Sequence, residues 1–141
     1  MYLLDTNILS ELMKPEPEAT VLRWTDQQDE QSLFYSAITR AEILWGIEQL
    51  PVGKRKNNLL LAAQDILGFF EGRCINYSCA AADTYVDIAM CSKQAGRPMS
   101  REDMMIAAIT LEQQMTLSTR NVKDFDFLPK LKLYNPWQDH A

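Results

Sequence analysis

Histidine is almost absent from this chain: His140, penultimate in the sequence, is the one copy in 141 residues. That excludes a Ser–His or Cys–His catalytic pair held in a folded core, and equally a His-rich zinc site. Cysteine is scarce too. Cys74, Cys79 and Cys91 form an odd set without CxxC spacing, so the expectation is three free thiols in a reducing compartment rather than a disulfide frame. No apolar run approaches the roughly 18 residues of a membrane span. Met1 to Leu4 is cut off by Asp5 before it reaches the length of a signal peptide, and it has no basic leader. The expected protein is therefore soluble and cytoplasmic, with no membrane contact. A positive charge balance is also missing. At a formal −5, broad electrostatic capture of a polyanion is excluded. Phosphate would have to be recruited locally, through bound cations and a few side chains among Arg40, Lys54-Arg55-Lys56, Arg97, Arg101, Arg120 and Lys123. For any one of these, an ordinary solvated charge is the default reading.

What is present is a globular balance, 47% hydrophobic and 23% charged, in a length that suits one domain over residues 1–141. No internal repeat, low-complexity tract or linker interrupts it. Hydrophobic periodicity predicts a buried strand over Met1–Leu4 and a short helix over Thr6–Met13, stopped by Lys14-Pro15-Glu16-Pro17. A second helix is expected from Pro17 to about Gln28, a strand over Leu33–Ser36, and helices over Thr39–Leu50 and Asn57–Phe70. Then follow a short strand in 73–77, helices over Cys79–Gln94 and Ser100–Gln114, and strands over Met115–Thr119 and Leu131–Tyr134. Strands alternating with helices indicate an α/β domain of three layers, with a mainly parallel central sheet and helices on both faces.

If chemistry resides here, carboxylates must perform it. Asp5 directly follows the apolar run Tyr2-Leu3-Leu4, at the carboxyl end of a strand, where open α/β sheets bind ligands. A plain helix N-cap fits the same position equally well. Glu42 shares a helix face with Ile38, Trp45 and Gly46. An acid buried on that face needs a cation; one at its edge reaches water and pairs with Arg40 or Arg101. Asp103 follows Ser100 at a helix start, where acids help to cap, yet it shares a face with Ile106 and Ala107, which look inward. Glu102 points elsewhere. Past the strand Met115–Thr119, the residues Asn121, Asp124 and Asp126 are all placed for a site, and a solvated loop acid fits each of them. Acids gathered at one sheet edge repel one another unless a divalent cation intervenes. Hard oxygen donors without histidine or thiolate select Mg²⁺ or Mn²⁺ over zinc.

Read together, these segments resemble the PIN-domain ribonucleases, and more narrowly the VapC/FitB-type toxins of toxin–antitoxin pairs. Leu-Leu-Asp5-Thr6-Asn7-Ile-Leu-Ser10-Glu11 is similar to their first motif, and Ser36-Ala37-Ile38-Thr39-Arg40-Ala41-Glu42-Ile43 to the second. The stretch Gly96 to Asp103, followed by Ile106-Ala107-Ala108, resembles the third; Ser118 to Phe125, closed by Asn135-Pro136-Trp137, resembles the fourth. The resemblance implies a PIN fold with Mg²⁺ or Mn²⁺ held mainly by Asp5 and Asp103. Glu42 and Asp124 complete the acidic pocket, Asp124 being preferred to Asn121 and Asp126, and Asn7, Thr119 and Asn121 are supporting polar groups. It also implies endonucleolytic cleavage of RNA, a homodimer, and a VapB-type antitoxin bound in a larger hetero-oligomer. Trp24, Trp45 and Leu59 to Leu61 are apolar surface that such a partner can cover, with core packing the competing role. A PIN-fold module that binds RNA or protein without cutting is the alternative, and a carboxylate-based phosphotransferase lacks its Gly-rich phosphate loop here.

Overall fold

A computed structural model describes residues 1–138; His140 lies outside them. The apolar run after Met1 forms β1 (Tyr2–Leu4), the central strand of a five-stranded sheet. The other strands are β2 (Leu33–Ser36), β3 (Cys74–Ile75), β4 (Thr116–Ser118) and β5 (Lys132–Tyr134), in the order β3-β2-β1-β4-β5. Every pairing is parallel. Helices α1 (Thr6–Leu12), α2 (Ala19–Gln27), α3 (Ala37–Glu48) and α4 (Lys54–Phe69) connect β1 through β3. Helices α5 (Cys79–Ala95) and α6 (Arg101–Glu112) then lead back to β4.

Strand alternation splits the core into two halves. Leu3 and its register partner Leu117 face Ala81 and Ile88 of α5 and Ile106, Ala107 and Ile109 of α6. Leu4, Leu33 and Tyr35 face the other way, onto Ile8, Leu9, Trp24, Ile43, Ile47 and Leu67 from α1 to α4. Both faces of the sheet are covered, so β1 and most of β2 read as continuous apolar runs rather than alternating ones. The chain winds outward from β1 through β2 to β3, then returns to the other side of β1 as β4 and β5. The connections diverge between β1 and β4, and a crevice opens there at the carboxyl ends of the strands. Asp5 follows one of these strands and Thr119 the other.

Three helix starts differ from the sequence expectation, each for a visible reason. Helix α3 begins at Ala37 rather than Thr39, because Ser36 ends β2 and its Oγ at once accepts the Thr39 amide at 3.2 Å. Helix α4 begins at Lys54 rather than Asn57, which puts the basic run in a first turn where the helix dipole disfavours cations. Lys56 offsets this by donating from Nζ to the Glu48 carbonyl at the end of α3, 2.9 Å away. Pro17 precedes α2 instead of opening it, because the Glu11 carboxylate accepts the Glu18 amide at 3.1 Å and sets the helix start there. Gly96, at φ 63°, closes α5 in the left-handed conformation that glycine adopts without strain.

Trp24 is core, 6% exposed, stacked on Tyr134 at 5.1 Å and edge-on to Tyr2 at 5.0 Å. Trp45 and Leu61 are surface residues, 63% and 60% exposed, while Leu59 is partly buried against the core. Among the described residues no helix is long and apolar enough to cross a membrane. Replacing the buried cap in Ser36→Ala removes the acceptor for the Thr39 amide and is expected to cost about 1–2 kcal/mol, measured by urea unfolding. An unchanged midpoint would show that Ser36 does not anchor α3.

Candidate active site

Asp5 emerges from β1 with its backbone amide bonded to the Ser118 carbonyl at 2.9 Å, so its position is an extension of the β1–β4 ladder. Its Oδ1 accepts the Thr6 amide at 2.8 Å and its Oδ2 accepts the Thr119 hydroxyl at 2.8 Å. Capping is therefore real, but it uses the first amide of α1 rather than the second or third, the usual capping targets. The carboxylate is turned across toward β4. Asn7 Nδ2 stands 3.4 Å from both Asp5 Oδ2 and Thr119 Oγ1, and Asn7 Oδ1 accepts the Arg120 amide at 3.4 Å. Thr119, fully buried, spends its one proton on Asp5 and accepts the Asn121 amide at 3.1 Å.

Glu42 comes from α3. Its Oε1 accepts the Thr6 hydroxyl at 2.7 Å, and Thr6 Oγ1 lies 2.9 Å from Thr39 Oγ1. A hydroxyl has one proton. With Thr6 donating to Glu42, Thr39 must donate to Thr6, while Ser36 Oγ donates to Thr39 at 3.5 Å. Thr6 and Thr39 thus connect Glu42 to the fold. Of the two placements open to Glu42, the structure shows the edge of the face: Glu42, Trp45 and Gly46 are all exposed. It reaches water at the site's rim, and the pairing with Arg40 does not form, since Arg40 Nη1 donates to the Tyr35 hydroxyl at 2.9 Å.

Asp103 stands in the first turn of α6, its amide bonded to Ser100 Oγ at 3.0 Å. Its carboxyl is half-buried above Ile106 and Ala107. Burial, the charges of Asp5, Asp124 and Glu42, and only a partial offset from Ser100 push its pKa from 3.8 up to about 6. Asp5 is raised by burial and by Asp124, against the lowering bonds from Thr119 and Thr6. Glu42 is raised by burial, Asp5 and Glu102, against its bond from Thr6. Charge thus links Asp5, Glu42 and Asp103: Asp5 acts on both of the others, and Glu42 acts on Asp103. Asp126 is differently employed: it pairs with Arg97 at 3.2 Å, and Arg97 also lies over the Phe127 ring and donates to the Lys123 carbonyl.

A cavity of about 460 Å³ opens over these groups, walled on its acidic side by Asp5, Glu42, Asp103 and Asn121. Asp124 is exposed and stands outside that wall; Thr119 lies one layer behind it. The PIN-domain family model matches residues 2–128. The chain belongs to the PIN-domain family. This PIN domain is 34% identical to the VapC ribonuclease Y4jK of Sinorhizobium fredii, over 98% of this chain and 99% of that protein. It is 36% identical to the toxin FitB of Neisseria gonorrhoeae, over 99% of this chain and 100% of the relative. The crystal structure of FitAcB from N. gonorrhoeae superposes with a TM-score of 0.88 at 34% identity, covering 99% of this chain and 100% of that one.

Two members of this PIN domain's site escaped the sequence reading as functional groups. Thr6 was visible beside Asp5, and Thr39 lies three residues before Glu42 on the same helix face. Their link, however, runs between α1 and α3 and has no signature in local spacing. The raised acids have a consequence for stability. An aspartate whose pKa rises on folding stabilises the fold at pH values below its ordinary pKa, and loses that contribution as pH climbs through the folded value. For Asp103 the loss spans 3.8 to about 6. In metal-free buffer, Asp103→Asn is expected to gain about 1–2 kcal/mol at neutral pH after allowance for solvent screening. The melting temperature should rise by a few degrees at about pH 8 and by nothing at about pH 4. Equal effects at both pH values would show that Asp103 carries no such strain.

Proposed function

We propose that this PIN domain is a Mg²⁺- or Mn²⁺-dependent endoribonuclease, the toxin of a toxin–antitoxin pair. The observation that carries the reading is the convergence of Asp5, Glu42 and Asp103 on one cavity at the β1–β4 crevice, each with a raised pKa. The donors are all oxygen, which fits a hard cation. Among the described residues, no three Asp, Glu, His or Cys side chains are grouped closely enough to hold an ion by themselves, so a Mg²⁺ here would take one or two carboxylates directly and keep several waters. In this reading Asp5 and Asp103 would hold the ion mainly, with Glu42 and Asp124 completing the acidic pocket. Asn7, Thr119 and Asn121 support them. The ion, when bound, polarises the phosphodiester and lowers the pKa of an attacking water.

The chain's own groups prepare that site. Thr119 and the Thr6 amide hold both oxygens of Asp5, and Thr6 aims Glu42. The family resemblance to toxins supports RNA as substrate, a VapB-type antitoxin as partner, a homodimer and a cytoplasmic location. Exposed Leu44 and Trp45 on α3, Leu60 and Leu61 on α4 and Val86 and Met90 on α5 offer apolar surface for these contacts. An antitoxin arginine or lysine placed among the acids would neutralise the pocket.

Cleavage of a panel of structured RNAs, tRNAs included, is the test. Cutting should require Mg²⁺ or Mn²⁺, stop in EDTA and fall at least about 100-fold in Asp5→Asn and Asp103→Asn. The same ions should raise the wild-type melting temperature by several degrees, by about 2.7 kcal/mol at a hundred times the dissociation constant. Undiminished cutting by Asp5→Asn protein removes these acids from the reaction. RNA binding without cutting by the wild type would instead support a non-cleaving module.

A further inference from the structure

The cavity over the acids does not end with them. One face of α1 carries Asn7, Ser10 and Glu11, and Lys14 continues the line past the helix end; all four border the same space. Arg120 and Trp137 line it as well. The Arg120 guanidinium lies over the indole of Trp137, 5.1 Å from the ring centroid. Buried Asn135 holds the two together: its Nδ2 donates to the Arg120 carbonyl at 3.4 Å and its Oδ1 accepts the Trp137 amide at 2.9 Å. Arg120 directly follows Thr119, the residue that grips Asp5. The platform is therefore fixed to the acid cluster through one peptide bond rather than by a loose loop.

Charge sorts the basic groups. Lys14 is paired with Glu11 at 3.0 Å. Burial raises the Glu11 carboxyl, but the bonds from Lys14 and the Glu18 amide, with the charges of Lys14 and Arg120, hold it below the usual value. No ion pair within 4.0 Å is made by Arg120 among the described residues, and its guanidinium is exposed. A planar cation over a half-buried indole, bordering the cavity that also holds the acids, matches an unpaired nucleotide. Bases stack on aromatic rings and on guanidinium planes, and phosphates accept from arginine. In a chain of net charge −5, stacking supplies affinity that long-range charge does not.

We propose that Arg120 and Trp137 form a subsite for an unpaired RNA nucleotide beside the scissile phosphate, the base stacking on the guanidinium–indole platform and Arg120 donating to the neighbouring phosphate. The proposal rests on the ribonuclease reading above and adds that the RNA must be single-stranded at the cut. Its test is steady-state cleavage of a short single-stranded oligoribonucleotide containing a site that the wild type cuts. Trp137→Ala should raise KM about tenfold with kcat within about threefold, and Trp137→Phe should restore most of the loss. Arg120→Ala should raise KM and flatten the slope of log KM against log salt by about 0.7, the share of one single-strand phosphate. A purely structural role for Arg120 would leave that slope unchanged, and one for Trp137, which also packs against the core, would lower kcat through lost active protein instead of raising KM. Wild-type KM and salt slope in both alanine variants, or a fall in kcat alone, overturns the subsite while leaving the ribonuclease reading intact. A wild type that neither cuts nor binds RNA overturns both.

Discussion

The pairing of β1 with β4 at the middle of the sheet is the constraint from which the rest of the site is built. Three residues on each strand are in register, Tyr2 to Leu4 against Thr116 to Ser118, and the next residues out are Asp5 and Thr119. The ladder continues one bond further, from the Asp5 amide to the Ser118 carbonyl, and is then closed between side chains by the Thr119 hydroxyl. A slip of one residue would turn Leu3 and Leu117 out of their half of the core and carry Asp5 away from Thr119 together. Core packing and site geometry are thus two readings of one register. Because both sheet faces are buried, that register is strongly specified, and the acid at its end inherits the rigidity of the core.

Rigidity is what allows the acids to stay close at a cost. Burial and mutual repulsion raise Asp5, Glu42 and Asp103 together, so at neutral pH the empty cluster works against the fold. Each acid is restrained by a neutral donor rather than a counter-charge: Thr119 and the Thr6 amide for Asp5, the Thr6 hydroxyl for Glu42, Ser100 for Asp103. Lysine or arginine in those places would relieve the strain and fill the position of a cation. The basic side chains near the cavity are instead occupied elsewhere: Arg40 with Tyr35, Lys14 with Glu11, Arg97 with Asp126, and Arg120 with Trp137. The acids Asp5, Glu42 and Asp103 therefore share the cavity with basic groups that do not neutralise them.

The three-layer α/β architecture was legible in the sequence because parallel strands buried on both faces read as short apolar runs, and the helices between them carry clear stops. Boundaries failed where a polar side chain, not periodicity, sets the start. Ser36 advances α3, Lys56 makes a basic first turn tolerable in α4, and Glu11 places the start of α2. Asp5 and Asp103 stood out by their place at a strand end and a helix start. For Glu42 both a buried and a water-reaching placement stayed open, because helical spacing names the neighbours on a face without saying which way the face points.

Sequence by itself determined the residue types: acids at strand ends and helix starts, almost no histidine, few thiols, and hence oxygen-donor chemistry for any ion. It also determined kinship, through four ordered motifs matched over the PIN-domain model's span of residues 2–128. Only the tertiary structure showed where the groups that follow β4 lie. Asp126 is taken by Arg97, Asn121 reaches the cavity wall, and Asp124 acts on Asp5 and Asp103 through its charge. It alone revealed the hydroxyl chain from Ser36 through Thr39 and Thr6 to Glu42, and the stacking of Arg120 on Trp137. The reason is physical. Spacing along a chain encodes which side chains share a strand or helix face, whereas hydrogen bonds, ion pairs and repulsions between segments depend on distances that exist only once the sheet has closed.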